Sequence, residues 1–143
     1  TPDMVSFADV KSMTKHERND FFEYVFSLAN GAGIKAGEDA RPTPMVVSEQ
    51  TNPMDYSSPT VRSWNVPDGA CGFAWVTIHP GNHPFSNWLK RVGEASPAYG
   101  GGVQIWISEH GQSIARKSAH ASAMVNVLRA WGLERVYSGS RMD

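Results

Sequence analysis

The sequence predicts an α+β fold. A mixed sheet of three to five strands carries its helices mainly on one face, within a single domain spanning residues 1–143. Three observations predict it. Two segments, 72–79 and 103–108, are rich in aromatic and β-branched residues and alternate with period two. Three segments carry apolar residues at helical spacing. Proline and glycine clusters separate these segments.

Taken in order, residues 14–30 read as the first helix. Thr14 and Glu17 have capping-box spacing. Phe21, Val25 and Leu28 form one apolar stripe, and Phe22, Phe26 and Ala29 a second beside it, with Asn30-Gly31 as the stop. Residues 31–69 form an irregular, loop-rich stretch punctuated by Pro42, Pro44, Pro53, Pro59 and Pro67. Short extended pieces are expected at 45–48 and 60–66, with a long loop over 49–59. The strand at 72–79 ends at Pro80-Gly81, and a short helix follows over 84–92 with Phe85, Trp88, Leu89 and Val92 on its apolar side. Gly100-Gly101-Gly102 leads into the strand at 103–108. It is a flexible entry rather than a phosphate loop, since nucleotide-binding glycines lie between a strand and a helix. Gly111-Gln112-Ser113 opens a long helix that runs to Trp131 and stops at Gly132, and 135–138 reads as a last short strand.

A chain of 143 residues buries about two thirds of its unfolded surface and needs no metal or disulfide to fold. Its net charge is −1, with 13 basic against 14 acidic residues, which disfavours a partner held mainly by phosphate neutralisation. The single cysteine, Cys71, excludes an intramolecular disulfide and fits a reducing compartment. There is no apolar run of membrane-spanning length, and no basic segment followed by an apolar core at the start. The expected location is therefore the cytosol or a particle assembled in it.

The alternation within the two strands divides the sheet into unlike faces. Ala74, Val76 and Ile78 point one way with Val103, Ile105 and Ile107; Phe73, Trp75, Thr77 and His79 point the other way with Gln104, Trp106 and Ser108. The last helix is expected to cover the aliphatic face through Ala115, Ala119 and Ala123, with Ile114, Val125 and Leu128 at the edge of the contact. Phe73, Trp75, Gln104 and Trp106 are the candidate binding residues, because exposed aromatic patches mark interaction sites. The alternative is that the first helix covers this face, packing Phe21, Phe22 and Phe26 on the tryptophans.

A second candidate is an anion site at the start of the last helix, formed by Ser113, Arg116, Lys117 and His120. Positive charge at this helix end opposes the macrodipole, a cost that a bound anion offsets; the plainer alternative is a solvated basic face. His79 and His83 flank Pro80-Gly81-Asn82, but structural zinc takes four Cys or His ligands, so neither a metal nor a cofactor is expected.

Asp68-Gly69-Ala70-Cys71 resembles the nucleophile segment of ovarian-tumour-type cysteine proteases. The resemblance implies Cys71 as nucleophile, with a base among His79, His83, His110 and His120. That family's cysteine opens a helix, whereas a strand follows here, and a turn into the strand is the plainer reading. The basic, then alanine-rich, last helix is superficially similar to that of double-stranded-RNA-binding domains. Those domains place three consecutive strands before it, and here a helix interrupts them. Residues 66–143 resemble small uncharacterised proteins of tailed bacteriophages, on the stretches DGACGFAWV (68–76), VQIWIS (103–108) and SGSRMD (138–143). That resemblance implies a viral origin and no chemistry.

The leading expectation is thus a non-enzymatic phage protein that binds another macromolecule as a virion or assembly component, with a protein partner or self-assembly foremost. A second is nucleic-acid binding, with Trp75 and Trp106 stacking on bases and Arg62, Arg116 and Lys117 on phosphates. A third is a cysteine hydrolase built on Cys71.

Overall fold

The computed structural model describes residues 5–50, 60–66 and 69–143, with the two strands at 45–50 and 60–66 given by their backbone pairing. The chain begins with a 3-10 helix, Phe7–Ser12, closed at its start by a Ser6/Asp9 capping box. Helix α1 (Lys15–Asp39) starts at Thr14, whose side chain accepts from the Glu17 amide while the Glu17 carboxylate accepts from the Thr14 amide at 2.8 Å. Strands β1 (Met45–Gln50) and β2 (Thr60–Val66) pair antiparallel as a two-stranded sheet. Strand β3 (Gly72–Ile78), helix α2 (Pro84–Val92), the two-residue strand β4 (Ser96–Pro97), strand β5 (Val103–Trp106), helix α3 (Ile114–Ala130) and strand β6 (Val136–Met142) follow. Glu49 and Gln50, the start of the expected loop at 49–59, instead pair with β2 as the end of β1, and 51–59 lies outside the described residues, as do Pro67 and Asp68.

The fold is α+β. The four-stranded sheet has the order β4-β5-β3-β6, and every neighbouring pair is antiparallel, where a mixed sheet was expected. Connectivity explains the difference. α2 joins β3 to β4 and α3 joins β5 to β6, and each of these parallel pairs has one antiparallel strand inserted between its members. The result is the β-α-β-β-α-β arrangement of ferredoxin-like sheets, a frame that hosts many unrelated functions. The two-residue β4 completes this pattern and is too short to leave a sequence signal.

One face of the sheet is sealed. Ala74, Val76, Ile78, Val103, Ile105 and Val136 are buried beneath Phe85 and Leu89 of α2 and Ala121, Met124, Val125 and Leu128 of α3. The expected alanine stripe is displaced: Ala115, Ala119 and Ala123 are only half-buried, and the buried arc runs through Lys117, His120, Ala121, Met124 and Leu128. The larger apolar residues take the centre because they remove more area from water. Phe21 and Phe22 meet Phe7, Phe22 also meets Phe85 and Trp88, and Phe26 packs on Trp88. The phenylalanines of α1 therefore spend their area on the 3-10 helix and α2, away from Trp75 and Trp106.

α1 continues nine residues past Asn30, where the Asn-Gly pair predicts a stop. Gly31, Gly33 and Gly37 each weaken a helix by about 1 kcal/mol relative to alanine, and tertiary contact outweighs that cost. A Cβ at Gly33 would fall against the His120 ring, and one at Gly37 against the His110 ring. The two glycines form a groove that admits these imidazoles from α3 and the turn before it. Arg116 closes the arrangement, donating from Nη1 to the carbonyls of Gly37 at 2.9 Å and Glu38 at 3.0 Å. These are carbonyls that the end of α1 leaves without helical donors.

Two glycines six residues apart on α1 should respond with opposite sign. Gly31 has open space around its Cβ position, so Gly31→Ala should raise stability by about 0.5–1 kcal/mol through helix propensity. Gly37→Ala forces a methyl into an imidazole and should lower stability by about 1–3 kcal/mol. Urea-denaturation midpoints of the two variants check both signs.

Candidate functional site

The register of β3 places the predicted binding residues together. Trp75 lies directly opposite Trp106, and Thr77 opposite Gln104. The two indole centroids are 5.1 Å apart with their planes inclined at 53°, and Phe73 meets Trp106 edge-to-face at 6.4 Å. A cross-strand aromatic pair of this kind contributes roughly 0.2–1 kcal/mol to the sheet. Trp106 is 48% exposed and Phe73 37%, while Trp75, Thr77, His79 and Gln104 are half-buried. The helices lie on the other side.

β6 extends this face with three residues that sequence reasoning missed. The ladder sets Tyr137 opposite Thr77, Gly139 opposite Trp75 and Arg141 opposite Phe73. Tyr137 is 48% exposed and sits 6.3 Å from the His79 ring. The guanidinium of Arg141 stands 5.5 Å from the Phe73 ring centre and the Lys117 ammonium 5.8 Å, within cation–π range. The guanidinium of Arg129 stands 5.7 Å from the Tyr137 ring and donates to the Val136 carbonyl at 2.8 Å. Gly139 is the seat of Trp75, since a Cβ there would come within 2.7 Å of the indole. The signal that could have found these residues is the period-two run Tyr137, Gly139, Arg141. It was cut short because only Val136 of β6 is buried and the rest of the strand has no apolar face.

The resulting surface combines Phe73, Trp75, Trp106 and Tyr137 with Thr77, Ser96, Gln104, His79 and Arg141. These face residues include no carboxylate. Its charge is neutral to positive and its centre is aromatic.

The second candidate cluster is engaged within the chain. Ser113 is the N-cap of α3 and accepts from the Arg116 amide at 3.3 Å. Arg116 reaches the carbonyl end of α1, and Lys117 is buried against Phe73. His120 is fully buried, with Nδ1 3.0 Å from His110 Nε2 and Nε2 3.1 Å from Asn30 Oδ1. An amide oxygen only accepts, so His120 donates from Nε2 to Asn30; neutral His120 then accepts at Nδ1 from His110 Nε2–H. The basic start of α3 thus answers the carbonyl end of α1, an interaction the helix dipoles favour. Arg62 is described only through the backbone pairing of β2 with Glu49.

Cys71 is exposed, and its backbone bridges Ser113. No hydrogen bond joins its thiol to any of the four histidines, among the described residues. His110 and His120 bond to each other, and His83 Nδ1 accepts from the Phe85 amide at 3.0 Å as the N-cap of α2. His79 lies beside Tyr137. The described residues contain no group of three or more His, Cys, Asp or Glu suited to a metal ion.

Burial holds the imidazoles of His83 and His120 below their ordinary pKa. At His120 the Glu109 carboxylate opposes this shift and His110 adds to it. An unfolded chain therefore takes up protons at these positions first. Their contribution to stability should be complete above about pH 6.5 and should be lost as pH falls from there through the lower folded-state values. Denaturation midpoints across that range check the sign, and His120→Gln should flatten the slope. The Trp75–Trp106 pair should also give a far-ultraviolet exciton couplet in circular dichroism, abolished by Trp106→Phe.

Comparison with known protein families, with curated proteins and with solved structures finds no match to this chain.

Proposed function

We propose that this chain is a non-enzymatic binding protein that docks a protein surface, or a second copy of itself, on the open face of its sheet. The setting its bacteriophage resemblance suggests is a virion or its assembly. The observation that carries the reading is the half-exposed Trp75–Trp106 pair, 5.1 Å apart on adjacent central strands and flanked by Phe73, Tyr137 and Arg141. Tryptophan, tyrosine and arginine dominate the energetic centres of protein interfaces, and charged residues are depleted there. This face has that composition. Its aromatic residues stand on paired strands rather than loops, so little ordering entropy opposes association.

A second reading, single-stranded nucleic acid, is favoured by one specific feature. The Arg141 guanidinium stands beside Phe73, and aromatic rings next to cations stack on bases while the cations meet phosphates.

Light-scattering mass over a concentration series, for the parent chain and for Trp106→Ala, tests the first reading. Loss of a half-exposed interface anchor should weaken self-association on the order of tenfold or more. A strict monomer at every concentration, unchanged by the substitution, counts against self-assembly. Filter binding of single-stranded oligonucleotides at low salt tests the second. Retention that falls steeply with salt and disappears in Trp106→Ala would transfer the face to nucleic acid.

A further inference from the structure

A cavity lined by none of the sheet-face residues joins α1 and α3. It has a volume of about 470 Å³ and lies where the start of α1 meets the end of α3. Glu17, Asp20, Phe21 and Tyr24 recur at helical spacing on α1 and form one wall. Trp131, the C-cap of α3, packs against this wall and closes one side, and Met13 contributes to the end.

The walls are aromatic and set nearly at right angles. Trp131 meets Phe21 edge-to-face at 5.9 Å and 63°, and Tyr24 at 5.9 Å and 83°. They are braced from behind. The Trp131 carbonyl accepts from the Phe7 amide at 2.9 Å, and the buried Phe7 ring packs edge-to-face on Phe21 at 5.2 Å. Two carboxylates complete the lining. Glu17 is held ionised by hydrogen bonds from the Thr14 amide and hydroxyl, and Asp20 lies 3.3 Å from the imidazole of His16 at the surface. Among the described residues, no lysine or arginine lines the cavity.

These features select the ligand by chemistry. An anion meets two carboxylates and no cationic side chain among the described lining residues. A neutral apolar molecule gains the rings and leaves the carboxylates unanswered. A bare metal ion lacks ligands, since two carboxylates are too few oxygen donors and the rings supply none. An organic cation with an apolar skin uses both halves, its charge meeting the carboxylates and its methyl groups packing on the aromatic lining. We infer that this cavity is a binding site for an alkylated ammonium group. The group arrives either on a small free molecule such as choline or on a methylated lysine side chain of a peptide.

Titration of the full chain by calorimetry and by amide and indole NMR shifts tests the inference. The probes are choline, its uncharged carbon analogue 3,3-dimethylbutanol, and a peptide carrying trimethyl-lysine beside its unmodified twin. The expected result is saturable binding of choline or of the methylated peptide, with shifts at the Trp131 indole and affinity on the order of tenfold above the uncharged analogue or unmodified twin. Whichever probe binds more tightly identifies the source. Tyr24 is 56% exposed, so Tyr24→Ala removes a wall without emptying the core, and Asp20→Asn removes a charge without changing shape. Each should weaken binding severalfold, while Trp106→Ala on the sheet face leaves it unchanged. Equal affinity for 3,3-dimethylbutanol and choline, no saturable binding of either cation, or binding indifferent to both cavity variants would overturn the assignment.

Discussion

Strand β3 has to satisfy two neighbours at once, and that constraint orders the rest of the molecule. It pairs with β5 on one side and with β6 on the other, so a slip of one residue on either side would turn Ala74, Val76 and Ile78 out of register with the apolar residues they join. The aliphatic row takes α2 and α3 as cover. What remains on the far side follows by necessity: every aromatic or polar residue of β3 is gathered there with its partners from β5 and β6. The open aromatic face and the core are two consequences of one alternation.

The helical layer has its own organising contact. α1 and α3 pack along one another with the carbonyl end of the first beside the amide end of the second. Arg116 spans the two ends, and the imidazoles of His110 and His120 lie in the glycine groove of α1. A fully buried histidine is tolerable here because both ring nitrogens have partners, Asn30 and His110. Basic residues at the head of a helix looked like a prepared anion site. In the fold Arg116 is the counterpart of another helix's tail, and Lys117 lies against Phe73.

Much of this was legible in the sequence, and its failures have physical causes. The bounds of α2 and the positions of β3, β5 and α3 follow from local signals: Pro84 at a helix start, Ser113 as a cap, β-branched and aromatic runs. The facing of Trp75 and Trp106 follows from period two and a shared core. The length of α1 does not, because Asn30-Gly31 carries every local sign of a stop and only a distant histidine pair makes the glycines useful. β6 beyond Ser138 was illegible because Ser140, Arg141 and Met142 are held by backbone pairing to β3 without apolar alternation. The cavity at Trp131 was illegible for another reason. Its walls come from positions more than one hundred residues apart, Tyr24 and Trp131, and no local pattern joins them.

Gly139 surrenders its side chain so that a neighbouring indole can lie flat across the ladder. The slope of the aromatic surface is therefore governed from a position that presents nothing of its own to a visitor. Enlarging that residue by a single carbon would push a methyl into the Trp75 indole and force it to shift, reshaping the contour of the open face with no aromatic residue altered. The relief of the open sheet can accordingly be reset at the notch beneath Trp75, without touching any of its aromatic residues.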